Sequence, residues 1–399
     1  MQALDDLRVL DFTRVLAGPF CSMLLADYGA EVIKVERPGT GDDTRQWGPP
    51  WVGDPAQKRS AYFWSVNRNK RSLTLNLQTA EGQAVAHQLA LTSDILIENF
   101  KVGQMRGYGL DYEALHAVHP RLIYCSITGY GQDSPLAHQP GYDFVIQGQS
   151  GLMSITGPAD GEPYKVGVAI SDVITGLTAA NAIQAAVYHR ARSGEGQFID
   201  IALLDSQIAA LVNIASGYLV SHDAPSRYGN AHPNIVPYEV FQAADKPFIL
   251  AVGNDAQFVQ VCTLLGLPDM VADPHFASNP ARVAHRAALI RRMAPILRQK
   301  PAREWIDLLL AVGVPAGPIE DIPSALENPH IRARGLVQPV ALADGTPIDM
   351  VGPAAKLSTT PPTIRHAPPL LGQHTDEILR ERLNLDKASL DSYRKQGIL

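Results

Sequence analysis

Asp172 stands at the start of the strongest helical pattern in the sequence, which runs from Ser171 to about Arg192. An acid in the first turn of a helix is often only a cap that the helix dipole stabilises. Two earlier segments favour a catalytic role instead, because Gly141-Tyr142-Asp143 supplies a second acid and residues 147–151 supply flexible backbone. Backbone N–H groups in such loops can stabilise an oxyanion. Asp172 is therefore a candidate carboxylate nucleophile.

Two basic segments are candidates for binding an anionic ligand. Glu36-Arg37-Pro38 directly follows a predicted strand, and residues 67–71 (NRNKR) hold three cations just before another. Ligands of open α/β sheets bind at the carboxyl ends of the strands, where Arg37 is expected. Most charge runs, however, are solvated surface, and the residues alone favour that interpretation for both segments.

Other reaction classes lack their sequence signals. The first predicted strand-to-helix turn, residues 13–19, has one glycine and no G-x-G-x-x-G, and the chain has no P-loop motif, so NAD, FAD and ATP chemistry lack support. The histidines show no Ser/His/Asp spacing. Cys21, Cys125 and Cys262 form no zinc-ligand pattern, so we expect no metal, and Cys21 is expected in the core.

The elements that must position these residues alternate between strand and helix patterns. Helices are predicted from Pro19 to Tyr28 and, capped by Thr79, to about Leu91. Such alternation predicts an α/β fold with a mostly parallel sheet. The predicted strands are Leu7–Phe12, Glu31–Val35, Ser72–Leu77, Asp94–Ile97, Leu122–Ile127 and Phe198–Leu203.

Composition changes mark the expected domain boundaries. Residues 1–217 are predicted to form a large domain that residues 371–399 complete, and the Pro-, Gly-, Asn- and His-rich stretch 218–237 is a linker or binding loop. Residues 238–330, with paired strands at Tyr238–Gln242 and Phe248–Val252 followed by helices, form a smaller α+β domain. The Pro- and Gly-rich stretch 331–370 is predicted as a return linker.

Charge and composition exclude several classes of protein. The chain has 399 residues and a formal net charge of −6, which argues against a dedicated nucleic-acid binder. We find no signal peptide and no uncharged apolar run long enough for a membrane span. An odd, sparse cysteine count fits a reducing compartment. We expect a cytoplasmic protein, or a mitochondrial matrix protein if a presequence has been removed, without nucleic-acid or membrane partners.

Taken together, the motifs resemble those of the class III CoA-transferases, the family of formyl-CoA and carnitine CoA-transferases that also contains the alpha-methylacyl-CoA racemases. The resemblance covers nearly the whole chain, with order and spacing preserved. It is carried by LRVLDFTRVLAGPFCSMLLADYGAEVIKVERPGTGDDTR, NRNKRSLTLNL, DILIENF, ITGYGQDSP, GYDFVIQGQSG, AISDVITG, GEGQFIDIALLDS, GVPAGPIEDIPSALENPHI and APPLLGQHTDEIL.

The resemblance implies a fold and an assembly. The large domain should be Rossmann-like, with a smaller domain beside it. Two chains should interlock as a homodimer, with the active site between the large domain of one subunit and the small domain of the other. The segments 218–237 and 331–370 would then be long connections between domains.

The resemblance also assigns roles to individual residues. Asp172 matches the catalytic aspartate, and Tyr142 and Asp143 match an active-site tyrosine and its acidic neighbour. The residues around CoA are expected to include backbone at Arg14, Val15, Leu16 and Ala17, a phosphate-binding Arg37, the adenine-lining Leu75, Asn99 and Phe100 at the nucleotide, and Lys70 and Arg71 of the basic cluster near the phosphates.

Two departures from the family pattern matter. Many members have an arginine where this chain has Gly107, and Lys101 or Arg106 is a candidate substitute. The run of four glycines of formyl-CoA transferase is also missing, and GNAHPNIVPY stands in the comparable region, so formate or oxalate specificity is not expected.

The transferase interpretation is favoured within the family. Racemases have a histidine where this chain has Tyr142, and tyrosine, with a reference pKa of about 10, is a poor base at neutral pH. GNAHPNIVPY and VGNDAQF resemble members that use succinyl-CoA with a dicarboxylate such as glutarate, itaconate or malate. Arg45 and His232 are candidate cations for the second carboxylate. A racemase or epimerase and a non-catalytic CoA-binding protein remain alternatives.

The resemblance implies a covalent mechanism with CoA as part of the substrate. Asp172 would form an anhydride with the acyl group and then a thioester with CoA. No permanently bound cofactor is expected, because thioester and anhydride are similar in energy.

Overall fold

The chain forms two compact units. The computed structural model describes residues 1–54, 59–342 and 345–399. One unit, called the large unit here, comprises Met1–Leu152, Lys165–His222 and Pro329–Leu399. The other, called the small unit, comprises Met153–Tyr164 and Asp223–Asn328. The chain thus enters the small unit twice, the first time in a short segment that lies within the predicted large domain.

Six parallel strands form the central sheet of the large unit, in the order β3-β2-β1-β4-β5-β6. Their alternation with helices confirms the predicted α/β class and parallel sheet. The chain order reverses between β1 and β4, and in open α/β sheets a ligand crevice forms at such a point, beyond the carboxyl ends of the strands. The strands are β1 Arg8–Asp11, β2 Glu31–Glu36, β3 Lys70–Thr74, β4 Ile95–Glu98, β5 Ile123–Thr128 and β6 Phe198–Ala202.

Nineteen α-helices and one 3-10 helix, Asp43–Gln46, occur in the described residues. The α-helices are α1 Ala17–Asp27, α2 Ala61–Ser65, α3 Ala80–Leu91, α4 Gln104–Gly107, α5 Tyr112–His116, α6 Asp143–Gln149, α7 Leu152–Ile155, α8 Ile170–Ser193, α9 Leu203–Ala209, α10 Val212–Ser221, α11 Asp255–Leu264, α12 Asp269–Ala272, α13 Asn279–Ala284, α14 Arg286–Leu297, α15 Ala302–Ala311, α16 Ile322–Glu327, α17 Pro329–Ala333, α18 Thr375–Leu383 and α19 Lys387–Lys395.

The sheet is covered on both faces, which explains why its central strands are buried along their whole length. Neighbouring residues of a strand point to opposite faces. Val9 packs on the side of α1 and α8, and Leu10 packs on the side of α3 and α18. The C-terminal segment therefore completes the core of the large unit, since Ile378 and Leu379 are fully buried there.

Helix α8 is long and apolar enough, by length and composition, to cross a membrane, and the bent pair of α9 and α10 passes the same test together. In the structure α8 packs against α1 and the sheet, with Ala179, Ile183 and Ala186 fully buried. Core helices commonly pass this test. The face of α8 that carries these three residues thus belongs to the core of the large unit.

The segment 331–370, predicted as a return linker, belongs to the large unit and contains an antiparallel hairpin. Its strands are β10 Val337–Ala341 and β11 Pro347–Val351. Val340 and Met350 of the hairpin pack against Phe63 and Trp64. Burial of these apolar side chains gives the segment a place in the folded unit.

The small unit contains a three-stranded antiparallel sheet and a core of helices. Strands β7 Tyr238–Gln242 and β8 Pro247–Ala251 pair as the sequence predicts, and β9 Ala316–Pro318 joins β8. Phe248, Phe258 and Trp305 are buried in its core.

Candidate active site

A cleft opens in the large unit where three parallel strands end. It has a volume of about 240 Å³. Its walls come from the loops that follow β1, β4 and β5 and from the start of α8, so it lies at the reversal of strand order. The lining includes Arg14, Val15, Leu16, Ala17, Asn99, Phe100, Lys101, Gly129, Gly141, Tyr142 and Asp172.

Asp172 reaches the cleft from the first turn of α8, and this turn is capped by a distant acid. The Asp143 carboxylate, at the start of α6, accepts hydrogen bonds through Oδ1 from the N–H of Ser171 at 2.8 Å and of Asp172 at 3.4 Å. Its Oδ2 accepts from Nε2 of Gln147 at 2.7 Å. Asp143 therefore takes the capping role that an acid in this turn could itself play, and the Asp172 side chain is left at the cleft.

The environment of Asp172 disfavours its charge. Burial, and secondarily the nearby Asp143 carboxylate, raise the pKa of Asp172 to about 7. No ion pair or side-chain hydrogen bond of Asp172 is found within the described part of the chain. A carboxyl group poised near neutrality is a functional-site signal, because a nucleophile must be ionised and also basic.

Close backbone contacts bring α8 beside the first turn of α1. Gly176 of α8 faces α1, where an added Cβ would lie 2.7 Å from the carbonyl oxygen of Ala17. In the same cleft, a Cβ on Gly141 would lie 2.5 Å from the Cα of Gly129. Glycine at these positions lets the backbone segments that frame Asp172 approach one another.

The loop after β1 is held by the loop after β4. Asn99 Oδ1 accepts from the Arg14 N–H at 2.9 Å, and Asn99 Nδ2 donates to the Arg14 carbonyl at 2.8 Å. The next residue, Val15, has φ 71°. This left-handed conformation is rare for a β-branched residue and marks a strained backbone.

A second cavity of about 130 Å³ adjoins the cleft, because Arg14 and Phe100 line both. It is also lined by Leu75, Tyr108 and Arg37. The Arg37 side chain is exposed and makes no hydrogen bond or ion pair to any residue that the structure describes. A free guanidinium beside a buried leucine suits a phosphate next to an adenine ring.

Comparison with known proteins places this geometry in a family. The sequence model of "CoA-transferase family III" matches residues 4–375. The chain belongs to CoA-transferase family III. This family III CoA-transferase is an enzyme, and the resemblance drawn from the motifs is confirmed.

Three similar proteins illustrate the match. The chain is 46% identical over 388 residues to a succinate–glutarate CoA-transferase of Agrobacterium fabrum, covering 97% of each chain. It is 41% identical over 399 residues to a human succinyl-CoA:glutarate CoA-transferase, covering 100% of this chain and 90% of the relative. A crystal structure of a CAIB/BAIF family protein from Brucella suis superposes with a TM-score of 0.84 at 44% identity, covering 96% of this chain and 99% of that one.

The structure brings most of the predicted site residues of this family III CoA-transferase to the two cavities. Asp143 does not line the cleft, and its carboxylate caps the N-terminus of α8. Tyr142 lines the cleft with a side chain that is 64% exposed. Their roles in the reaction remain predictions.

Lys70 and Arg71 do not lie at either cavity. Lys70 is fully buried and donates through Nζ to Asp11 Oδ2 at 3.2 Å and to the Pro19 carbonyl at 2.9 Å. Arg71 is held by Glu31 at 2.7 Å and by acids of α18. Because both cations are already paired with carboxylates, we leave them out of the CoA site.

The two substitutes for the missing family arginine are placed differently. Lys101 lines the catalytic cleft and is exposed. Arg106 is also exposed but pairs with Asp111 at 3.1 Å and Glu113 at 3.5 Å, and it lines a different cavity. Lys101 is therefore the better placed cation.

Of the two candidate cations for a second carboxylate, Arg45 is already paired with an acid and His232 belongs to the small unit. Arg45 makes a bidentate pair with Glu36, through Nε at 2.7 Å and Nη2 at 2.6 Å, and its guanidinium lies over Phe63. His232 belongs to the small unit, where its Nδ1 accepts from the Asn234 N–H at 3.1 Å. Arg45 is thus a poor candidate for substrate binding.

Tyr62 lines neither cavity, and the motifs did not single it out. Burial and the nearby carboxylates of Asp172 and Asp143 raise the pKa of Tyr62 to about 12. The hydroxyl of Tyr62 therefore stays protonated at neutral pH. The signal available in the sequence is the aromatic run at residues 62–64, which is more typical of core packing.

Other chemistries gain no support from the described residues. The described residues include no group of three or more His, Cys, Asp or Glu side chains arranged to hold a metal ion. Cys21, Cys125 and Cys262 are free and buried. Burial, and secondarily Asp11, raise the pKa of Cys21 above its usual value, as expected of a core thiol.

Proposed function

We propose that this family III CoA-transferase moves CoA from an acyl-CoA donor, succinyl-CoA, to a dicarboxylate such as glutarate, itaconate or malate, with Asp172 as the covalent nucleophile. The observation that carries the proposal is the Asp172 carboxyl group, whose pKa burial raises and which lines a cleft that shares Arg14 and Phe100 with an adjoining cavity. The names of the bacterial and human relatives, which specify glutarate, support the dicarboxylate acceptor.

The first half of the reaction transfers CoA to the enzyme. The Asp172 carboxylate attacks the thioester carbonyl carbon, the C–S bond breaks, and CoA leaves as a thiolate with a mixed anhydride on Asp172. The thiolate then attacks the aspartyl carbonyl carbon of the anhydride, the C–O bond breaks, and the donor leaves as a free carboxylate. Asp172 now carries CoA as a thioester.

The second half runs these steps in reverse with the acceptor. A carboxylate oxygen of the acceptor attacks the aspartyl thioester, which releases CoA thiolate and forms a new anhydride. The thiolate attacks the acceptor acyl carbon, which yields the new acyl-CoA and the free Asp172 carboxylate. We infer that the backbone N–H groups at the start of α1 stabilise the developing oxyanions. Water must be kept from the anhydride during both halves.

Mass spectrometry tests both the reaction and the intermediate. The wild-type enzyme, incubated with succinyl-CoA and a pool of mono- and dicarboxylic acids, should form a new acyl-CoA that names the acceptor. Without an acceptor, the intact protein should gain the mass of CoA less one water, which distinguishes the aspartyl thioester from CoA bound without a covalent bond. Asp172→Ala should do neither, although it should still bind CoA.

Asp205→Ala is the matched control, because Asp205 is an exposed acid in the first turn of α9. This control should behave as wild type in both measurements. Full turnover by Asp172→Ala would contradict the assignment of the nucleophile. Deuterium exchange at the α-carbon of an acyl-CoA would favour the racemase, and CoA binding without any turnover would favour a binding protein.

We also propose that the enzyme works as an interlocked homodimer in the cytoplasm. Apolar side chains exposed on α8 and α10 support a partner chain, among them Tyr188 at 67%, Leu219 at 70% and Val220 at 85% exposure. Three free, buried thiols fit a reducing compartment. Sedimentation equilibrium should give twice the chain mass, and a monomer active in CoA transfer would contradict the assembly.

A further inference from the structure

The loop between β1 and α1 is held at every polar backbone group from Thr13 N–H to Val15 N–H. Asp11 accepts from the Thr13 N–H at 2.9 Å, and Asn99 brackets Arg14 as described above. The two remaining groups, the Thr13 carbonyl and the Val15 N–H, are held by a pair of buried side chains. The chain is thus fixed from Thr13 up to the N–H of the strained Val15, and helix α1 begins two residues after Val15.

Lys34 and Asp42 form that pair. Lys34 Nζ donates to the Thr13 carbonyl at 2.8 Å and to Asp42 Oδ2 at 2.9 Å. Asp42 Oδ1 accepts from the Val15 N–H at 3.3 Å. Neither side chain has solvent-exposed surface. One ion pair therefore holds the carbonyl two residues before Val15 and the N–H of Val15 itself.

Other contacts fix the pair in turn. Asp42 Oδ1 also accepts from the Thr44 N–H at 3.0 Å and hydroxyl at 2.8 Å, and the Asp42 N–H donates to Glu36 Oε2 at 3.0 Å. Asp42 thus cannot turn away from the loop without losing several bonds. Strained backbone persists only where its surroundings over-determine it, and it gathers at ligand sites.

The groups that follow Val15 remain available to a ligand. The N–H groups of Leu16 and Ala17 make no hydrogen bond within residues 1–54, 59–342 and 345–399, and both residues line the cleft that holds Asp172. They begin α1, whose N-terminus carries partial positive charge. If Val15 returned to an ordinary negative φ, these two groups would change direction.

We propose that Lys34 and Asp42 are positioning residues, which hold Val15 in its left-handed conformation and thereby present the start of α1 to the CoA thioester. The inference rests on the proposed function. A buried ion pair is weak evidence for stability, because apolar residues of similar size often replace it without loss. The bonds of this pair to the Thr13 carbonyl and to the N–H of the strained Val15 supply a reason for its presence here.

The test replaces both charges together, so that neither is left unpaired. Lys34→Met/Asp42→Val suits the site because Asp42 has extended backbone, φ −66° and ψ 137°. The Kd of CoA, measured by titration calorimetry, and the KM of the acyl-CoA should both rise about tenfold, the effect expected from releasing a strained residue. The kcat at saturating acyl-CoA should also fall, by at least about tenfold, because the N–H groups that change direction are the proposed oxyanion donors.

A third substitution separates positioning from stability. Glycine adopts positive φ readily, so adding Val15→Gly to the double variant should recover at least about threefold of the lost CoA affinity. A role in stability alone would not be relieved in this way. No recovery in the triple variant, or an unchanged Kd in the folded double variant, would overturn the proposal.

Asp42→Asn covers the case in which the double variant does not fold. In the wild type, Asp42 Oδ1 accepts from the Val15 N–H and Oδ2 accepts from Lys34. Asparagine has only one acceptor oxygen, so either Lys34 or the Val15 N–H loses its bond. The Kd of CoA should rise and Val15→Gly should again lower it. An Asp42→Asn protein that binds CoA as wild type does would contradict the proposal.

Replacement of a different buried pair controls for general destabilisation. Arg68 and Asp27 pair at 2.6 Å and make no bond to the loop. Arg68→Met/Asp27→Leu should lower the thermal midpoint while leaving the Kd of CoA within twofold, and a rise matching that of Lys34→Met/Asp42→Val would overturn the proposal. Because CoA binding is measured without turnover, absence of transfer in the wild type would refute the proposed function and leave this test intact.

Discussion

The Asp143 carboxylate accepts a hydrogen bond from the backbone N–H of Asp172 at 3.4 Å, and the same carboxylate helps to raise the pKa of the Asp172 side chain. One acid thus holds the other in place through the backbone while opposing its ionisation through space. The two effects have different consequences, because the first fixes geometry and the second tunes reactivity.

The pH dependence of activity should report the Asp172 carboxyl group. Asp172 reacts only when ionised, and its pKa is raised to about 7 by burial and then by Asp143. We therefore expect kcat/KM to rise with pH through about 7. Asp143→Asn keeps an oxygen acceptor but removes the like charge, so it should move this limb to lower pH by up to about one unit.

Steady-state rates between pH 5 and 9 check this prediction. Asp205→Asn, which makes the same change at an exposed acid in the first turn of α9, is a control that should leave the limb unchanged. An Asp143→Asn profile that coincides with wild type would show that Asp143 does not influence the ionisation of Asp172.

Stability should respond to pH through the same carboxyl group. The folded pKa of Asp172 lies above its ordinary value of 3.8, so the folded state holds its proton more tightly than the unfolded state does. The contribution of Asp172 to stability is therefore largest below about pH 4 and declines as the pH rises to about 7.

Asp172→Asn removes the loss of stability that comes from ionising a buried carboxyl group. At pH 8 the variant should be more stable than wild type by at least about 1 kcal/mol, or about 1–2 °C in the thermal midpoint, and near pH 4 the two should coincide. Calorimetry at both pH values measures the difference. A variant less stable than wild type at pH 8 would contradict the raised pKa.

Arg37 should contribute to CoA affinity through a phosphate. Its free guanidinium lines the cavity beside Leu75. Arg37→Gln should raise the Kd of CoA about tenfold, with a much smaller effect on dephospho-CoA, which lacks the adenosine phosphate. Arg8→Gln changes an arginine at the N-terminal end of β1, whereas Arg37 follows the carboxyl end of β2, so it should have no effect on either ligand. An equal loss of affinity for both ligands would show that Arg37 does not bind the adenosine phosphate.

Gly176 should be intolerant of a side chain. A Cβ there would press on the Ala17 carbonyl and force α1 and α8 apart, which should cost about 1–3 kcal/mol and displace Asp172 from the loop that follows β1. Gly176→Ala should therefore lose both thermal stability and kcat/KM.

Gly217→Ala in α10 is the matched control, because its Cβ meets nothing within 4 Å. Alanine favours helix at such a position, so stability should be unchanged or slightly higher. Wild-type activity in Gly176→Ala would show that the close approach of the two helices does not position the nucleophile.

Local patterns in the sequence determined the elements of the fold. Thr79 was predicted as a helix cap, and its hydroxyl accepts from the Gly82 N–H at 3.0 Å. The pattern starting at Ser171 predicted α8 to within a residue at each end. Caps and hydrophobic periodicity act between near neighbours in the chain, so a single sequence displays them. Asp172 and Arg37 were predicted as site residues from the order and spacing of the family motifs, since the residues alone favoured solvated surface for the segment that holds Arg37.

Partners distant in sequence were decided only by the tertiary structure. The strand expected at residues 72–77 is β3, which begins at Lys70 because Lys70 pairs with Val32 of β2. That register puts Lys70 inside the core opposite Asp11, although its charged neighbours indicated surface. The left-handed Val15, the capping of α8 by Asp143 and the placement of Lys101 in the cleft depend likewise on long-range contacts. These contacts join residues that are far apart in the chain and meet only on folding, so no short window of sequence contains both members.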